Sequence, residues 1–351
     1  MYKGYNGKIL RVNLTDEKTT TENLGTNLIE DFIGGMGFGV KILFDEVDPK
    51  IDPLSEHNKL VFSVGPLTAR APMFAQTCVV TKSPLTNTIL NSYAGGMLGY
   101  HFKKSGYDVV IFEGKAEKPV YVSIVNGDVD IKDASDLWGL GTHEAEKRLK
   151  DLYPNGSIET VVIGPAGEHK VRFAATISSE RSFGRGGSGA VLGSKNLKGF
   201  VIGGNALPEI YDSSLMKEYV KEAGEVIKNE MNAPYSLVGA FSKIGTMYGI
   251  DLLHNMGAMP TRNHYTGVWD GINELNGTTY LKNYHVRHQG CYGCPVRCWK
   301  INKFKTGEFK GIEHDGPEYE SIYALGTECE TKSPDAVLEA DYLCDDLGMD
   351  T

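Results

Sequence analysis

The chain has 351 residues, of which 41% are hydrophobic and 23% charged, and this length can bury a substantial core in about two domains. The net charge of −9 argues against nucleic acid as the main partner, because neutralising phosphates requires a clustered basic surface. No stretch approaches the roughly 18 apolar residues of a membrane span and no secretory signal opens the chain, so we expect a cytoplasmic protein.

The first part of the chain is predicted to consist mainly of short β-strands bounded by Gly, Pro, Asp or Ser. The expected strands are Lys8–Leu14, Lys59–Val64, Thr77–Lys82, Val109–Glu113, Thr160–Ile163, Val171–Ile177 and Gly199–Ile202. The clearest hairpin is Val120–Lys132, where Asn126-Gly127 is typical of a type I′ turn. Two helices are expected between these strands, at Asn27–Phe32 and Gly141–Leu152.

The second part of the chain has helical periodicity. Residues Asp212–Lys228 place a series of apolar side chains on one helical face. Near the end, Ser333 can cap a helix that starts at Pro334, and Gly348 can end it.

This change of pattern predicts an α+β protein with two domains. A β-rich domain is expected over residues 1–210 and a helical domain over residues 211–351. Because the chain stops shortly after Gly348, the helical domain is expected to be incomplete, as in a fragment or one half of a split protein.

The strongest functional signal is the CxxCxxxC motif of Cys291, Cys294 and Cys298. Three thiolates in one tight loop can bind three irons of a cubane cluster, which needs a fourth ligand from elsewhere. A zinc site is the main alternative, but such sites usually have two separated CxxC pairs, and this sequence has no second pair. Buried structural cysteine is the third interpretation. Three isolated cysteines are candidates for the fourth ligand, although each is more typical of a core: Cys78, Cys329 and Cys344.

The second signal is the glycine-rich segment Arg181–Lys195, in a chain whose 42 glycines are well above the usual content. Glycines let the backbone approach a ligand, successive N–H groups can bind an anion, and Arg181 and Arg185 can pair with phosphates. The segment matches neither a Walker A sequence nor a well-placed GxGxxG, so nucleotide binding by the usual routes is not expected. A glycine-rich structural turn is the alternative.

Two acidic segments complete the set of candidates. The helix end at Asp345–Asp350 can project Asp350 into a cavity, where a carboxylate suits the donor-rich edge of a pterin. In Gly316–Ser321, Glu318 or Glu320 can act as a general acid or base. A solvated helix end and a surface glutamate are the ordinary alternatives.

A series of short motifs then follows in order along the chain. They are Gly34–Gly37, Gly65–Thr68, Thr81–Thr86, Gly106–Asp108, Ile163–Glu168, Gly184–Gly187, Gly193–Lys198, the CxxCxxxC motif and Gly316–Ser321. In order and spacing this series resembles the tungsten-containing aldehyde:ferredoxin oxidoreductase family over essentially the whole chain. The sequence is identified on that basis as a member of the family.

The resemblance implies a β-rich base that cradles two pterins and a helical domain that carries a [4Fe–4S] cluster. By this resemblance Cys291, Cys294 and Cys298 are three of the four cluster ligands, and Glu320 matches a glutamate proposed to assist proton transfer near the metal. The residues that match positions holding pterin phosphates and a bridging Mg²⁺ are Gly95, Gly96, Arg181, Ser182, Gly184, Arg185 and Gly186. The residues that match the first of two pterin motifs are Asp345, Gly348, Met349 and Asp350.

Several positions depart from the family pattern. Gln76 and Tyr93 stand where an arginine and an asparagine would meet the cofactor phosphates and Mg²⁺, so only backbone contacts are expected to survive there and anion pairing is weaker. A Glu-x-x-His motif linked to an iron between subunits reads Glu339–Tyr342 without the histidine, so that iron is not expected. The second pterin motif, the fourth cysteine and an active-site histidine would come from a C-terminal part or a second subunit.

The resemblance implies that an aldehyde is oxidised to a carboxylic acid at a tungsten, or molybdenum, bis-pterin. Ferredoxin or another low-potential carrier would accept the electrons. An aromatic acyl thioester or a sulfur compound is the alternative substrate. An inert fragment or subunit that needs a C-terminal partner, and a zinc-binding interaction module, are alternatives of another kind. A homo-oligomer is compatible with each of them.

Overall fold

The computed structural model describes residues 2–154, 156–179 and 181–350, so Met1, Asn155, Glu180 and Thr351 of the predicted domains lie outside the described part. The chain forms two compact units. The first comprises Met1–Lys217 together with Asp345–Asp350, and the second comprises Glu218–Cys344. The division expected at residue 210 stays a prediction, and the return of residues 345–350 to the first unit is a finding of the structure.

The first unit contains two six-stranded sheets. The strands of one sheet are β1 (Lys8–Asn13), β2 (Lys18–Asn23), β3 (Leu60–Ser63), β4 (Thr77–Lys82), β5 (Ile89–Ala94) and β6 (Val109–Glu113). The strands of the other are β7 (Val120–Val125), β8 (Asp128–Asp133), β9 (Ile158–Val162), β10 (Thr176–Ser178), β11 (Arg181–Phe183) and β12 (Leu197–Gly203). The strand orders are β2-β1-β6-β3-β4-β5 and β11-β10-β9-β12-β7-β8. The pair of β1 with β6 and the pair of β7 with β12 are parallel.

A shared core lies between these two sheets. The buried ring of Phe62, on β3, lies 5.5 Å from Phe183 and 4.9 Å from Phe200, which belong to the other sheet. Edge-to-face pairs of this kind add about 0.5–1.5 kcal/mol to the free energy gained from burial. The two inner faces therefore pack on each other, and the edge strands β5 and β11 are in contact.

Among the described residues of the first unit, six helices accompany the sheets. They are α1 (Thr26–Phe32), α2 (Met36–Glu46), α3 (Leu98–Lys104), α4 (Thr142–Asp151), α5 (Pro165–Glu168) and α6 (Ser188–Ser194). The expected helices correspond to α1 and α4, whereas α2, α3, α5 and α6 were not predicted. Helix α2 was missed because its sequence is rich in glycine, which disfavours helices. Glycine is needed at position 39 because a side chain there would collide with Val80.

Most predicted strands of the first unit are confirmed. Thr77–Lys82 and Val109–Glu113 have the expected bounds, and Asn126 and Gly127 both have positive φ, as a type I′ turn requires. The expected strand Val171–Ile177 is wrong for most of its length, because a strand is present only over Thr176–Ser178.

From residue 213 onward the chain is mainly helical, which confirms the predicted order of a β-rich part before a helical part. The helices are α7 (Ser213–Asn232), α8 (Leu237–Ile244), α9 (Tyr248–Asn255), α10 (Ile272–Leu275), α11 (Gly277–Asn283), α12 (Tyr319–Ser321), a π-helix (Ile322–Thr327) and α13 (Pro334–Leu347). An unpredicted antiparallel sheet comprises β13 (His285–Gln289), β14 (Trp299–Lys303) and β15 (Glu313–Asp315).

The ends of α13 agree with the sequence. Ser333 Oγ accepts a hydrogen bond of 3.2 Å from Ala336 N, and Gly348 follows the helix with φ +73°. Across the described part of the chain, every helix is too short or too polar to cross a bilayer.

Candidate functional site

In the first unit, four of the predicted cofactor residues lie at one end of β4 and β5. Thr77 pairs with Ala94 in this antiparallel register, so Gln76 and Gly95 are the next opposing positions. The side chain of Gln76 is exposed, and Tyr93 is 41% exposed. Gly96 has φ +84°, a conformation that favours glycine where the chain turns toward α3. This strand end therefore presents backbone and two neutral polar side chains.

The edge strand β11, which carries Arg181 and Ser182, packs against β5. Ser83, in the loop after β4, donates a hydrogen bond of 2.6 Å from its hydroxyl to the Gly186 carbonyl. Gly186 has φ +122°, and a side chain there would collide with Leu90. The Thr81–Thr86 motif thus supports the loop Gly184–Gly187, which we call the glycine loop. The sequence of the motif did not predict this role.

The acidic end of α13 reaches the same loop. Asp350 Oδ2 accepts a hydrogen bond of 2.6 Å from Arg185 N and lies 3.2 Å from Arg185 Nε. A Cβ added to Gly184 would lie 3.5 Å from that carboxylate oxygen. The Asp350 side chain is 18% exposed, whereas the Arg185 side chain is 57% exposed.

Backbone contacts explain how Asp350 arrives there. Ala175 N donates to Gly348 O at 2.9 Å, and Met349 forms an antiparallel bridge with Ala174. Gly348 adopts a positive φ and passes so close to Gly164 that a Cβ would lie 2.7 Å from Gly164 N. This close approach therefore explains why the Ile163–Glu168 motif has a glycine at position 164.

Asp345 and Asp346, at the start of this segment, make a different set of contacts. Thr142 Oγ1, at the beginning of α4, donates to the Asp345 carbonyl at 2.7 Å. Asp346 Oδ1 accepts from His143 N at 3.2 Å and lies 3.3 Å from His143 Nδ1. The hydrogen bond from the His143 side chain lowers the pKa of Asp346. These contacts anchor the end of α13 on α4.

We call this set of residues in the first unit the cradle; it extends from the Gln76–Gly96 end of β4 and β5 to the glycine loop beside Leu90, at the other end of β5. Its members are Gln76, Tyr93, Gly95, Gly96, Arg181, Ser182, Gly184, Arg185, Gly186 and Asp350. Arginines and a glycine-lined backbone suit phosphate oxygens, and a carboxylate suits an edge with several N–H donors. One carboxylate, an exposed arginine and a glycine-lined backbone thus fit a phosphorylated heterocycle.

In the second unit, the three motif cysteines occupy the loop between β13 and β14. Cys294 N donates to Cys291 O at 3.0 Å, and positive φ angles at Gly293 and Arg297 curl the chain around this turn. All three cysteines are half-buried, and the cysteines of the described chain form no disulfide. Among the described residues, no three His, Cys, Asp or Glu side chains are gathered in metal-binding geometry. The donor type suits a soft metal cluster.

Lys300 supports this loop and was not singled out from the sequence. Its Nζ donates to the carbonyls of Arg297, at 3.0 Å, and of Ser242 and Phe241, at 3.1 and 3.3 Å. Burial lowers the pKa of Lys300 to about 8, and the neighbouring Cys298 acts in the opposite direction. The ammonium group therefore joins the cysteine loop to the end of α8.

The candidate fourth ligands differ in their surroundings. Cys78 is buried in the first unit beside Leu43 and Val80, and burial raises the pKa of its thiol to about 12, so it is a core residue. Cys329 is exposed rather than part of a core, and its thiol donates to Ala324 O at 3.3 Å. Cys344 is half-buried.

Glu320 lies on α12, immediately before the π-helix, and its side chain is exposed. The Tyr323 hydroxyl donates to Glu320 Oε1 at 2.7 Å. π-Helical turns occur frequently at functional sites. The sequence did not predict the π-helix at Ile322–Thr327. The carboxylate is therefore accessible and held by one donor.

A buried histidine–aspartate pair involves the segment Glu339–Tyr342, which lacks the histidine of the family motif. Asp341 Oδ2 is 3.0 Å from Nε2 of His314, which is fully buried on β15. The histidine ring packs against Phe304 and Tyr342. Asp341 is thus engaged inside the second unit.

Comparisons with known proteins agree with these motifs. Residues 9–204 match the protein family described as "Aldehyde ferredoxin oxidoreductase, N-terminal domain". Residues 218–351 match the family described as "Aldehyde ferredoxin oxidoreductase, domains 2 & 3". The chain is 41% identical over 350 residues to a tungsten-containing aldehyde ferredoxin oxidoreductase of Pyrococcus abyssi, covering 99% of this chain and 56% of the relative. It is 36% identical over 368 residues to an aliphatic sulfonate oxidoreductase, WOR-like subunit, of Pyrococcus furiosus, covering 99% and 57%.

A solved structure is similar over the whole chain. The active site complex BamBC of benzoyl coenzyme A reductase, in complex with 1,5-dienoyl-CoA, has a chain with a TM-score of 0.88 and 25% identity, covering 100% of this chain and 54% of that one. This chain therefore spans about half the length of the relatives that it matches.

Proposed function

This chain belongs to the aldehyde ferredoxin oxidoreductase family, and we propose from that premise that it forms the cofactor-binding part of an enzyme that oxidises aldehydes. The overall reaction is RCHO + H₂O → RCOOH + 2H⁺ + 2e⁻, with ferredoxin or another low-potential carrier accepting the electrons one at a time. The observation that carries the proposal is the contact of Asp350 with Arg185, which unites the predicted phosphate-binding and pterin-binding motifs.

The cradle would hold the cofactor mainly through charge and backbone groups. Arg181, Ser182 and Arg185, with N–H groups of the glycine loop and of Gly95-Gly96, would bind pterin phosphates and their bridging Mg²⁺. Asp350 would accept hydrogen bonds from the amino edge of the pterin. Gly348 and Met349 would keep that carboxylate in place through their backbone contacts with Ala174 and Ala175. A bound tungsten or molybdenum bis-pterin supplies two-electron redox chemistry and a Lewis acid.

The cysteine loop would provide three thiolates to a [4Fe–4S] cluster. Its sequence supports a cubane rather than zinc, since Cys291, Cys294 and Cys298 lie in a single run. A fourth ligand would come from elsewhere, and a C-terminal part or a second subunit is the proposed source, because the relatives are longer than this chain. The exposed carboxylate of Glu320 would transfer a proton during aldehyde oxidation.

The cluster assignment is tested on the protein purified without oxygen, together with any polypeptide that copurifies. Cys294→Ser is expected to lower iron and acid-labile sulfide, to abolish a reduced-cluster EPR signal and to reduce viologen-linked aldehyde oxidation strongly. Cys329→Ser is the comparison, and retention of iron there excludes Cys329 as the fourth ligand. Unchanged iron and activity in Cys294→Ser contradicts the cluster assignment.

The cradle assignment is tested by cofactor content. Arg185→Ala and Asp350→Ala are expected to release a large part of the bound pterin and tungsten, measured after acid extraction, while the iron content is retained. Glu320→Gln should retain cofactor and iron but lose about a hundredfold in activity, the usual size of a general acid–base contribution. An intact assembly that holds neither pterin nor iron would refute the proposal as a whole.

A non-aldehyde substrate is the second candidate. It is favoured by the similarity to an aliphatic sulfonate oxidoreductase subunit and to a benzoyl coenzyme A reductase complex. Parallel assays with aldehydes, alkyl sulfonates and aromatic acyl-CoA thioesters separate these substrates. A chain that stays alone and metal-free in gel filtration would indicate an inactive fragment or subunit instead.

A further inference from the structure

A buried lysine lies beside the cysteine loop. Lys300 follows Cys298 by two residues and is only 3% exposed. Its Nζ donates to three backbone carbonyls, those of Arg297, Ser242 and Phe241. These acceptors match the three N–H groups of an ammonium group. Because carbonyls carry no net charge, they hold the lysine in place without cancelling its positive charge.

The end of α8 fixes Lys300 relative to Cys298. Gly245 follows α8 with φ +80°, and a Cβ added there would lie 2.8 Å from Cys298 O and 3.1 Å from Lys300 Cγ. A side chain at position 245 would therefore push the helix end away from β14. The backbone of Cys298 and the side chain of Lys300 are packed against the same helix end.

A carboxylate borders the same small space. A cavity of about 10 Å³, room for about one water molecule, has a lining that includes Cys298, Lys300, Thr246 and Glu318. Glu318 is half-buried, and its Oε2 accepts a hydrogen bond of 3.2 Å from the Thr246 hydroxyl. Burial lowers the pKa of Lys300, whereas the charges of Cys298 and Glu318 raise it. The cysteine, the cation and the carboxylate are therefore within electrostatic reach of one another.

Charge near an iron–sulfur cluster changes its reduction potential. Reduction adds one electron, so a neighbouring cation stabilises the reduced cluster and a neighbouring anion stabilises the oxidised one. Such interactions are stronger in a protein interior than in bulk water, and buried charges are screened much less by salt. The burial of Lys300 therefore increases the effect of its charge on the loop.

We propose that Lys300 and Glu318 set the reduction potential of the cluster at the motif cysteines, with Lys300 raising it and Glu318 lowering it. This proposal rests on the proposed function, because that function places a one-electron cluster in the cysteine loop. Neither residue is a cluster ligand in this role, since each acts through its charge. Glu318 thus has a role distinct from the proton transfer proposed for Glu320.

The midpoint potential is the direct test. It is measured at one fixed pH by EPR-monitored redox titration of the protein purified without oxygen, together with any polypeptide that copurifies. Lys300→Gln removes the charge but keeps an N–H donor, and it is expected to lower the potential by about 59 mV, equivalent to a tenfold change in the one-electron equilibrium. Lys300→Arg keeps the charge and should retain a potential close to that of the wild type.

Lys303→Gln is the matched control. It makes the same change of charge on the same strand, but Lys303 lies beyond Asn302, which pairs with His285 at the end of β13 away from the cysteine loop. Its one-electron equilibrium should change by less than about twofold, because a more distant and more exposed charge is screened more strongly.

Glu318→Gln provides a shift of opposite sign. Loss of this negative charge should raise the potential, although by less than Lys300→Gln lowers it, because Glu318 is more exposed than Lys300. Distortion of the loop gives no reason for the shift to follow the sign of the charge removed. If Lys300→Gln binds no cluster, the Glu318→Gln titration decides: a raised potential supports the proposal and an unchanged one overturns it.

The outcomes separate this proposal from the proposed function. Equal potentials in the wild type, Lys300→Gln and Glu318→Gln, with iron content retained, overturn the role of these charges but leave the cluster assignment intact. An equal fall in Lys300→Gln and Lys300→Arg shows that Lys300 acts through its shape, and this also overturns the proposal. A wild-type assembly that holds no cluster refutes the proposed function, and this inference with it.

Discussion

Asp350 Oδ2 and Arg185 N are joined by a hydrogen bond of 2.6 Å, although 165 residues separate them in the sequence. The Arg185 guanidinium approaches the same oxygen, at 3.2 Å from Nε. One carboxylate therefore ties the end of α13 to the glycine loop by both a backbone and a side-chain contact.

Asp350→Asn is expected to weaken this connection, because the neutral amide is a poorer acceptor for a backbone N–H and a guanidinium. Hydrogen bonds to charged groups contribute about 1.5–3 kcal/mol, so we expect the free energy of unfolding to fall by about 1–2 kcal/mol in urea titrations. Asp128→Asn, at an exposed end of β8, is the control and should change stability little. Equal stability of wild type and Asp350→Asn would contradict the role of this contact.

Gly348→Ala tests the close approach between the end of α13 and Gly164. Position 348 combines φ +73° with a Cβ position 2.7 Å from Gly164 N, whereas Gly127 has φ +90° with open space around it. Gly127→Ala therefore measures the cost of the backbone conformation alone, about 1 kcal/mol. Gly348→Ala should destabilise by clearly more than Gly127→Ala in urea unfolding. Equal losses in the two variants would show that the approach to Gly164 is of no consequence.

The surroundings of Glu146, on α4, predict that the free energy of unfolding depends on pH. Its Oε1 accepts hydrogen bonds from Thr160 Oγ1 at 2.7 Å and Ser179 N at 2.9 Å. Burial raises the pKa of Glu146, and Glu159 raises it further. The native state therefore keeps a proton that the unfolded state releases above pH of about 4.3, so the stabilisation from this group is lost as pH rises through the folded-state pKa.

Glu146→Gln retains the acceptor oxygen without a titrating group. Relative to this variant, the wild type should be more stable at pH 5 than at pH 8, measured by urea unfolding at both values. Glu144→Gln is the control, because the hydrogen bond from Arg148 lowers the pKa of the fully exposed Glu144. Its effect should be small and of opposite sign. A pH-independent difference between wild type and Glu146→Gln would contradict the prediction.

Tyr323→Phe removes the donor that orients the Glu320 carboxylate, at 2.7 Å. If Glu320 transfers a proton as proposed, kcat/KM for aldehyde should fall by about three- to tenfold through poorer positioning. Stability should change by less than about 0.5 kcal/mol, because the carboxylate is exposed. Tyr265→Phe, at an 83% exposed tyrosine, is the control. A loss of stability without a loss of kcat/KM would assign Tyr323 a structural role only.

Local sequence accounts for the elements that were predicted well. Thr77–Lys82 and Val109–Glu113 are rich in β-branched residues and bounded by turn residues, and Asn126-Gly127 tolerates the positive φ of its turn. Ser333, Pro334 and Gly348 mark the ends of α13 because capping depends on neighbouring residues only.

Predictions failed where distant segments decide the local structure. Val171–Ala175 has an apolar character that suits a strand, but Ala174 and Ala175 bond to Met349 and Gly348 instead. The sheet of β13, β14 and β15 was missed because its strands are polar and the cysteine motif separates two of them.

The sequence by itself determined the family, the α+β order and the residue types of the candidate sites, because motifs and periodicities are properties of short segments. The tertiary structure alone decided that Asp350 contacts Arg185, that Gly348 packs against Gly164 and that Lys300 joins the cysteine loop to the end of α8. Such contacts depend on how chain segments far apart in sequence pack together, and no local pattern records that packing.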